Sequence, residues 1–155
     1  MMKKLPPIEK IYEAYSAIAD GRISMHEHFA EVTSSDRTKD YIVTFNNGVY
    51  SSNDNGSYWQ SYAGYPILAV LILQGKLSYE PKTAALFRNI NWKKLNTQYK
   101  NKYADAVREI FRDLRNRGVD TEEISRQVQN TYNELKRLDI SLKKSSTKPN
   151  LKSGK

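Results

Sequence analysis

The chain has 155 residues, of which 39% are hydrophobic and 27% charged, with a formal charge of +8 and a mean hydropathy of −0.73. That length and balance fit one folded unit with a substantial core. With no cysteine in the chain, disulfides, thiolate zinc sites, iron–sulfur clusters and a cysteine nucleophile are excluded.

At the N-terminus, Lys3 and Lys4 lead into Leu5-Pro6-Pro7 instead of an apolar signal core. Ile8, Ile11, Tyr12, Tyr15 and Ile18 then fall at helical spacing, and Gly21 stops this first helix. Residues 22–34 fit two descriptions. Ser24-Met25-His26-Glu27 has the form of a capping box, whereas Ile23, Met25 and Phe29 fit a strand. The turn-like cluster Ser34-Ser35-Asp36-Arg37 and the extended segment after it favour the strand. Asp40-Tyr41-Ile42-Val43-Thr44-Phe45 is β-branched and aromatic, and Asn46-Asn47-Gly48 supplies the left-handed positions of a tight hairpin returning through Val49-Tyr50-Ser51. Residues 52–57 are turn-rich, and Tyr58, Trp59 and Tyr62 follow.

Pro66 is suited to the first turn of a helix that runs over Ile67–Gln74 and ends at Gly75. The apolar run from Pro66 to Leu73 is far too short to span a bilayer, so a cytoplasmic protein without a membrane partner is expected. Pro81 opens a short helix through Phe87. A long helix over residues 92–117 is predicted from the stripe Trp92, Leu95, Tyr99, Tyr103, Ala106, Val107, Ile110 and Leu114. Asp120 or Thr121 caps a last helix that buries Ile124, Val128, Tyr132, Leu135 and Leu138, and the short connection makes a helical hairpin. From Ser141 the chain is Lys/Ser-rich and aperiodic, so residues 141–155 are expected to be a disordered basic tail on a domain spanning 5–140.

The positive charge is local. Residues 5–140 hold 18 basic and 17 acidic groups; within them residues 5–75 hold 4 and 8, and residues 76–117 hold 11 and 4. On a helical wheel Lys93, Lys94, Lys100, Arg108, Arg112 and Arg115 cluster opposite the apolar stripe, a ridge able to track phosphates. Asp105–Arg108, Glu109–Arg112 and Asp113–Arg117 have the spacing of intrahelical pairs, so the same ridge also fits a salt-bridged solvent face. Lys143 and Lys144 in the tail can add phosphate affinity or merely solubility. His26-Glu27-His28 with Glu31 is the one metal-like cluster, and it lacks a third histidine. Ser52-Asn53-Asp54-Asn55-Gly56 lacks the carboxylates of a calcium loop and reads as a turn.

Residues 30–73 resemble a SWIM-type zinc finger. Ala30–Asp36 and Tyr41-Ile42-Val43 match its lead-in strands, and Ile67-Leu68-Ala69-Val70-Leu71 matches its apolar helix. The positions of the four zinc ligands hold Tyr50, Ser52, Gly64 and Pro66, which cannot build a tetrahedral zinc site. The resemblance implies a metal-free ββα scaffold and, from what the family does, binding to DNA or proteins.

The sequence therefore predicts an α+β protein. It has a small antiparallel sheet of about three strands, a finger-like unit within residues 30–75, and a helical part over 81–140 ending in the hairpin. No catalytic residue, metal, cofactor or small-molecule substrate is evident. The expected role is non-catalytic binding of DNA or RNA through Lys93, Lys94, Lys100, Arg108, Arg112, Arg115, Lys143 and Lys144. The alternative is a protein interface or homo-oligomer using Tyr58, Trp59 and Tyr62, or the helical hairpin.

Overall fold

Pro6 and Pro7 hold the chain extended before it enters α1 (Lys10–Ala19), which buries Ile11, Tyr12, Ala14, Tyr15 and Ala17. The computed structural model describes Met2 and residues 4–149. After α1, the 22–34 stretch forms two strands, β1 (Ile23–Met25) and β2 (Phe29–Thr33), joined by a tight turn in which the His26 N–H donates to the Phe29 carbonyl at 2.8 Å. β3 (Asp40–Asn46) and β4 (Val49–Ser52) form the expected hairpin. Asn47 and Gly48 take φ of 51° and 79°, the two positive values that a hairpin turn of this twist demands.

The sheet is larger than the three strands read from the sequence. Its order is β1-β2-β3-β4-β5, antiparallel throughout except that β5 (Ser141–Leu142) pairs parallel with Val49 and Tyr50 of β4. Residues 141–149 are thus not the disordered tail expected of them. Ser141 N–H donates to the Gly48 carbonyl and Lys143 N–H to the Tyr50 carbonyl, both at 2.9 Å. Further on, the Asn53 side chain donates to the Lys148 carbonyl at 3.2 Å. Residues 150–155, including Lys152 and Lys155, lie outside the described residues.

Helices cover one face of this sheet. Every residue of α3 (Tyr65–Leu73) from Pro66 to Ile72 is buried. A helix apolar all round can sit only in the middle of a core, and α3 is held between α1 and the sheet. Each large side chain there contributes roughly 1.5–3 kcal/mol by leaving water. Tyr12 links α1 to Phe87, just after α4 (Pro81–Ala85), and to Phe111, with ring centroids 5.2 and 5.6 Å apart.

The long helix expected over 92–117 is two helices, α5 (Trp92–Gln98) and α6 (Tyr103–Asn116). Lys100 and Asn101 both adopt left-handed φ, 52° and 61°. Asn101 N–H reaches the Asn96 carbonyl at 2.7 Å, and Lys100 N–H the Thr97 carbonyl at 3.1 Å. That is a Schellman closure, with lysine where glycine is usual. Tyr99 then folds its hydroxyl onto Glu109 of α6 at 2.6 Å. α7 (Thr121–Arg137) returns beside α6 as the predicted hairpin, capped by the Asp120 carboxylate.

Candidate functional site

The segment after β4, read as a turn, is the anchor of the site. Asp54 is 5% exposed. Its carboxylate accepts from Ser52 Oγ at 2.5 Å and from the Ser57 backbone N–H at 3.1 Å, capping the helix α2 (Asn55–Gln60). Gly64 presses against the same carboxylate. Its φ of −67° is ordinary, but a Cβ there would lie 2.1 Å from Asp54 Oδ2 and 2.9 Å from its Cγ. Ser57 Oγ accepts from the Gly64 N–H at 2.9 Å, closing the loop.

Of Tyr50, Ser52, Gly64 and Pro66, read from the sequence as vacated zinc-ligand positions, Ser52 and Gly64 meet around Asp54. Tyr50 instead donates its hydroxyl to Gln74 at 2.6 Å, and Pro66 is buried in the first turn of α3. A carboxylate, a hydroxyl and backbone groups do not make a zinc site.

α2 forms one wall of a cleft of about 330 Å3. α1 supplies Lys10 and Glu13, the β2–β3 loop supplies Asp36, and α5 supplies Lys93 and Asn96. Two hydroxyls fix α5 in place. Ser16 Oγ of α1 accepts from Trp92 Nε1 at 2.7 Å, and Ser35 Oγ accepts from the Trp92 N–H at 3.0 Å. Glu13 is 4% exposed and bonds Lys10 at 3.2 Å, while Asn96 Nδ2 lies 3.5 Å from the same carboxylate oxygen. The Lys10 ammonium also sits 4.0 Å from the centre of the Tyr103 ring.

These neighbours govern protonation. Burial pushes the Lys10 pKa down, but the Glu13 carboxylate and the Tyr103 and Tyr62 phenols outweigh it, and the net shift is upward. The Tyr41 phenol is pushed up to about 12, first by burial and then by Asp54, Asp36 and Glu13. Burial raises Tyr62 and Tyr65 likewise. At neutral pH Tyr41, Tyr62 and Tyr65 are therefore proton-bearing donors in a wall that holds three carboxylates and three ammonium groups.

Outside the cleft mouth lies an aromatic edge. Trp59 is 62% exposed, Tyr58 is half-buried, and their rings meet edge to face at 4.7 Å. The Lys144 ammonium sits 4.5 Å from the Tyr58 centroid and 5.6 Å from that of Trp59. Lys4 reaches the same edge, donating to Gln60 at 3.3 Å and lying 5.6 Å from the Tyr62 ring centre. Tyr62 itself is 6% exposed, so the expected Tyr58–Trp59–Tyr62 contact surface reduces to Trp59 and part of Tyr58.

The basic ridge read from the wheel does not survive the break between α5 and α6. Lys93 faces the cleft and pairs with Asp36 at 3.7 Å. Lys94 borders a separate groove with Leu95 and Ile110, and Arg108 and Arg115 line a third depression against Tyr12 and Phe111. Arg108 bonds Asp105 at 2.6 Å, Arg117 bonds Asp113 at 2.9 Å, and Arg112 lies close enough to Tyr99 to influence its phenol. Lys100 occupies the left-handed turn. Among the expected phosphate ligands, Lys144 sits at the aromatic edge and Lys93 lines the cleft that Trp59 shares with that edge.

His26 and His28 sit on the β1–β2 turn. His26 stacks on Phe29 with centroids 4.4 Å apart and lies 3.2 Å from Glu31, and His28 lies 3.6 Å from Glu27. Among the described residues no three His, Asp or Glu side chains are grouped to hold a metal ion, and no helix is long and apolar enough to cross a membrane.

Fold and site together define an α+β protein with a polar, aromatic-walled cleft beside a lysine-bearing aromatic edge. Residues 3–141 match the family model described as uncharacterised conserved protein UCP014422, and the chain belongs to that family. The matched span holds Lys4, Trp59 and the whole cleft and ends before Lys143 and Lys144. No curated protein and no solved structure matches the chain.

Proposed function

We propose that this is a non-catalytic binding protein for single-stranded nucleic acid, engaged at the aromatic edge of α2. The observation that carries the reading is Trp59, 62% exposed with the Lys144 ammonium beside its ring. A base stacked on an exposed indole gains about 1–3 kcal/mol, with little dependence on sequence. Ammonium groups at the same edge supply the phosphate contacts that make such binding salt-dependent. The SWIM-like β3–β4–α3 arrangement belongs to this proposal as a metal-free scaffold, with the Asp54 carboxylate as the hub between Ser52 and Gly64.

Fluorescence anisotropy of labelled single- and double-stranded oligonucleotides across a salt series tests the reading. Single strands are expected to bind more tightly. Trp59→Ala should weaken them roughly 5- to 160-fold, as loss of one stacked base implies. Lys144→Ala should make the log–log salt slope shallower by about 0.7, the contribution of one single-strand phosphate. Absence of binding at low salt would overturn the proposal. So would a salt slope unchanged in Lys144→Ala. A dimer on sizing chromatography that Trp59→Ala dissolves would assign the same ring to a self-interface instead.

A further inference from the structure

We infer that the cleft between α1, α2 and α5 binds a neutral saccharide, with a sugar ring inside it and another against Trp59 at its mouth. The site is separate in chemistry from the lysine-bearing edge of α2 and does not depend on the single-strand reading, although Trp59 belongs to both.

Charge limits the ligand first. The lining holds three ammonium groups, Lys10, Lys39 and Lys93, and three carboxylates, Glu13, Asp36 and Asp54, a formal sum of zero. Lys10 already faces Glu13 at 3.2 Å, and Lys93 faces Asp36 at 3.7 Å. A phosphorylated or carboxylated ligand finds no net field here and competes with these pairs. A neutral ligand leaves them intact.

The arrangement of the polar groups selects the kind of neutral ligand. At 3.7 Å, Lys93 Nζ and Asp36 Oδ2 attract each other but are too far apart to share a hydrogen bond, and Lys93 is exposed. A ligand group that serves both must accept from the ammonium and donate to the carboxylate. A hydroxyl does so with one oxygen, whereas an amine that is charged only donates and a carbonyl only accepts. The mouth of the cleft repeats this demand. Besides Lys93, its exposed residues are Asn55, Gln60, Asn101, Thr97 and Trp59. Three are carboxamides, each carrying a donor and an acceptor, and they surround one indole. A row of hydroxyls on a ring with an apolar face matches that set. Trp59, 62% exposed, turns a flat electron-rich surface to the C–H face of such a ring. Pockets for small molecules begin at roughly 300 Å3, so about 330 Å3 suits a ligand of mono- or disaccharide size and not a long chain.

Calorimetry and tryptophan fluorescence on the full chain test this with maltose, cellobiose, lactose and N,N′-diacetylchitobiose, against glycerol, glucuronic acid and glucose 6-phosphate. At least one of the disaccharides is expected to bind saturably, and roughly tenfold or more tighter than glycerol or either charged sugar. Its affinity should stay within about twofold from low to high salt, because no phosphate is neutralised. Lys93→Met should weaken it roughly tenfold, the loss of one hydrogen bond to a charged group. Trp59→Ala should weaken it roughly fivefold or more, and Trp59→Phe by less. Both side chains are exposed, so these variants keep the fold. No saturable binding by any of the disaccharides would overturn the inference. So would tighter binding of a charged sugar, or an affinity that Lys93→Met and Trp59→Ala leave unchanged. Single-stranded oligonucleotides in the same series separate the two sites. Oligonucleotides that bind while saccharides do not would overturn the cleft alone. Saccharides that bind while oligonucleotides do not would support the cleft and overturn the single-strand reading.

Discussion

Asp36 shows how much one short side chain does at this site. Its carboxylate accepts from Ser34 Oγ at 2.8 Å, Thr38 Oγ1 at 2.7 Å and the Thr38 N–H at 3.1 Å, and faces Lys93. Partial burial works against the charge, but the bonds from Thr38 and Ser34, with Lys93, outweigh it and hold the pKa at about 2 instead of 3.8. A folded-state value below the unfolded one stabilises the fold above about pH 4, and that contribution fades as the pH falls toward 2. Asp36→Asn should therefore cost on the order of 1–2 kcal/mol at pH 7 and flatten the stability profile between pH 4 and 2. Urea melts at stepped pH would check both. The sequence identified residues 34–37 as a turn, and they are one. It could not reveal that Ser35 caps Trp92 from 57 residues away, because a serine that serves a distant N–H looks the same as one that serves its own turn.

Among the elements, those with strong local chemistry were legible. The β3–β4 hairpin follows from an Asn-Gly pair that tolerates positive φ, and α7 follows from Asp120 and a clean apolar stripe. The α5–α6 break was hidden because the apolar stripe runs through it and its left-handed positions carry Lys100 and Asn101 instead of glycine. β5 was hidden for the opposite reason. Two residues in a polar segment have no periodicity, and their partner strand is far away in sequence. Asn53 fixes that last segment. Wholly buried, it accepts from the Ile42 N–H at 2.8 Å and donates to the Lys148 carbonyl, clasping β3 and the C-terminal segment at once. Asn53→Ala should cost about 1–3 kcal/mol by orphaning a buried N–H. Hydrogen exchange should show lost protection at Ile42. The oligonucleotide salt slope should also become shallower as the segment bearing Lys144 comes loose.

At the scale of the whole molecule, the acidic N-terminal half and the basic middle segment meet within one chain, as Asp36 and Lys93 demonstrate. The cleft draws on residues from Lys10 to Tyr103, and no linear motif could have announced it. Of the 11 scattered tyrosines, Tyr41, Tyr62, Tyr65 and Tyr103 line its walls and Tyr12, Tyr15 and Tyr50 are buried in the core. β5 closes the far side of the sheet, covering the β4 edge at Val49 and Tyr50. A chain ending at residue 140 should leave that edge unpaired and associate with itself through it. Light scattering would reveal the association as a concentration-dependent rise in mass that the full chain does not show.

The parallel pairing of β4 with β5 also has a temporal side. Ser141 is translated 89 residues after Ser52. At ordinary rates of translation that gap lasts roughly 4–18 s. Throughout it the nascent hairpin presents an open hydrogen-bonding edge, and a contact of such long sequence separation is slow to close even once its partner exists. The last step of sheet formation is thus deferred until residues 141 and 142 have been made, and the vulnerable period of this fold is set by the ribosome as much as by the chain.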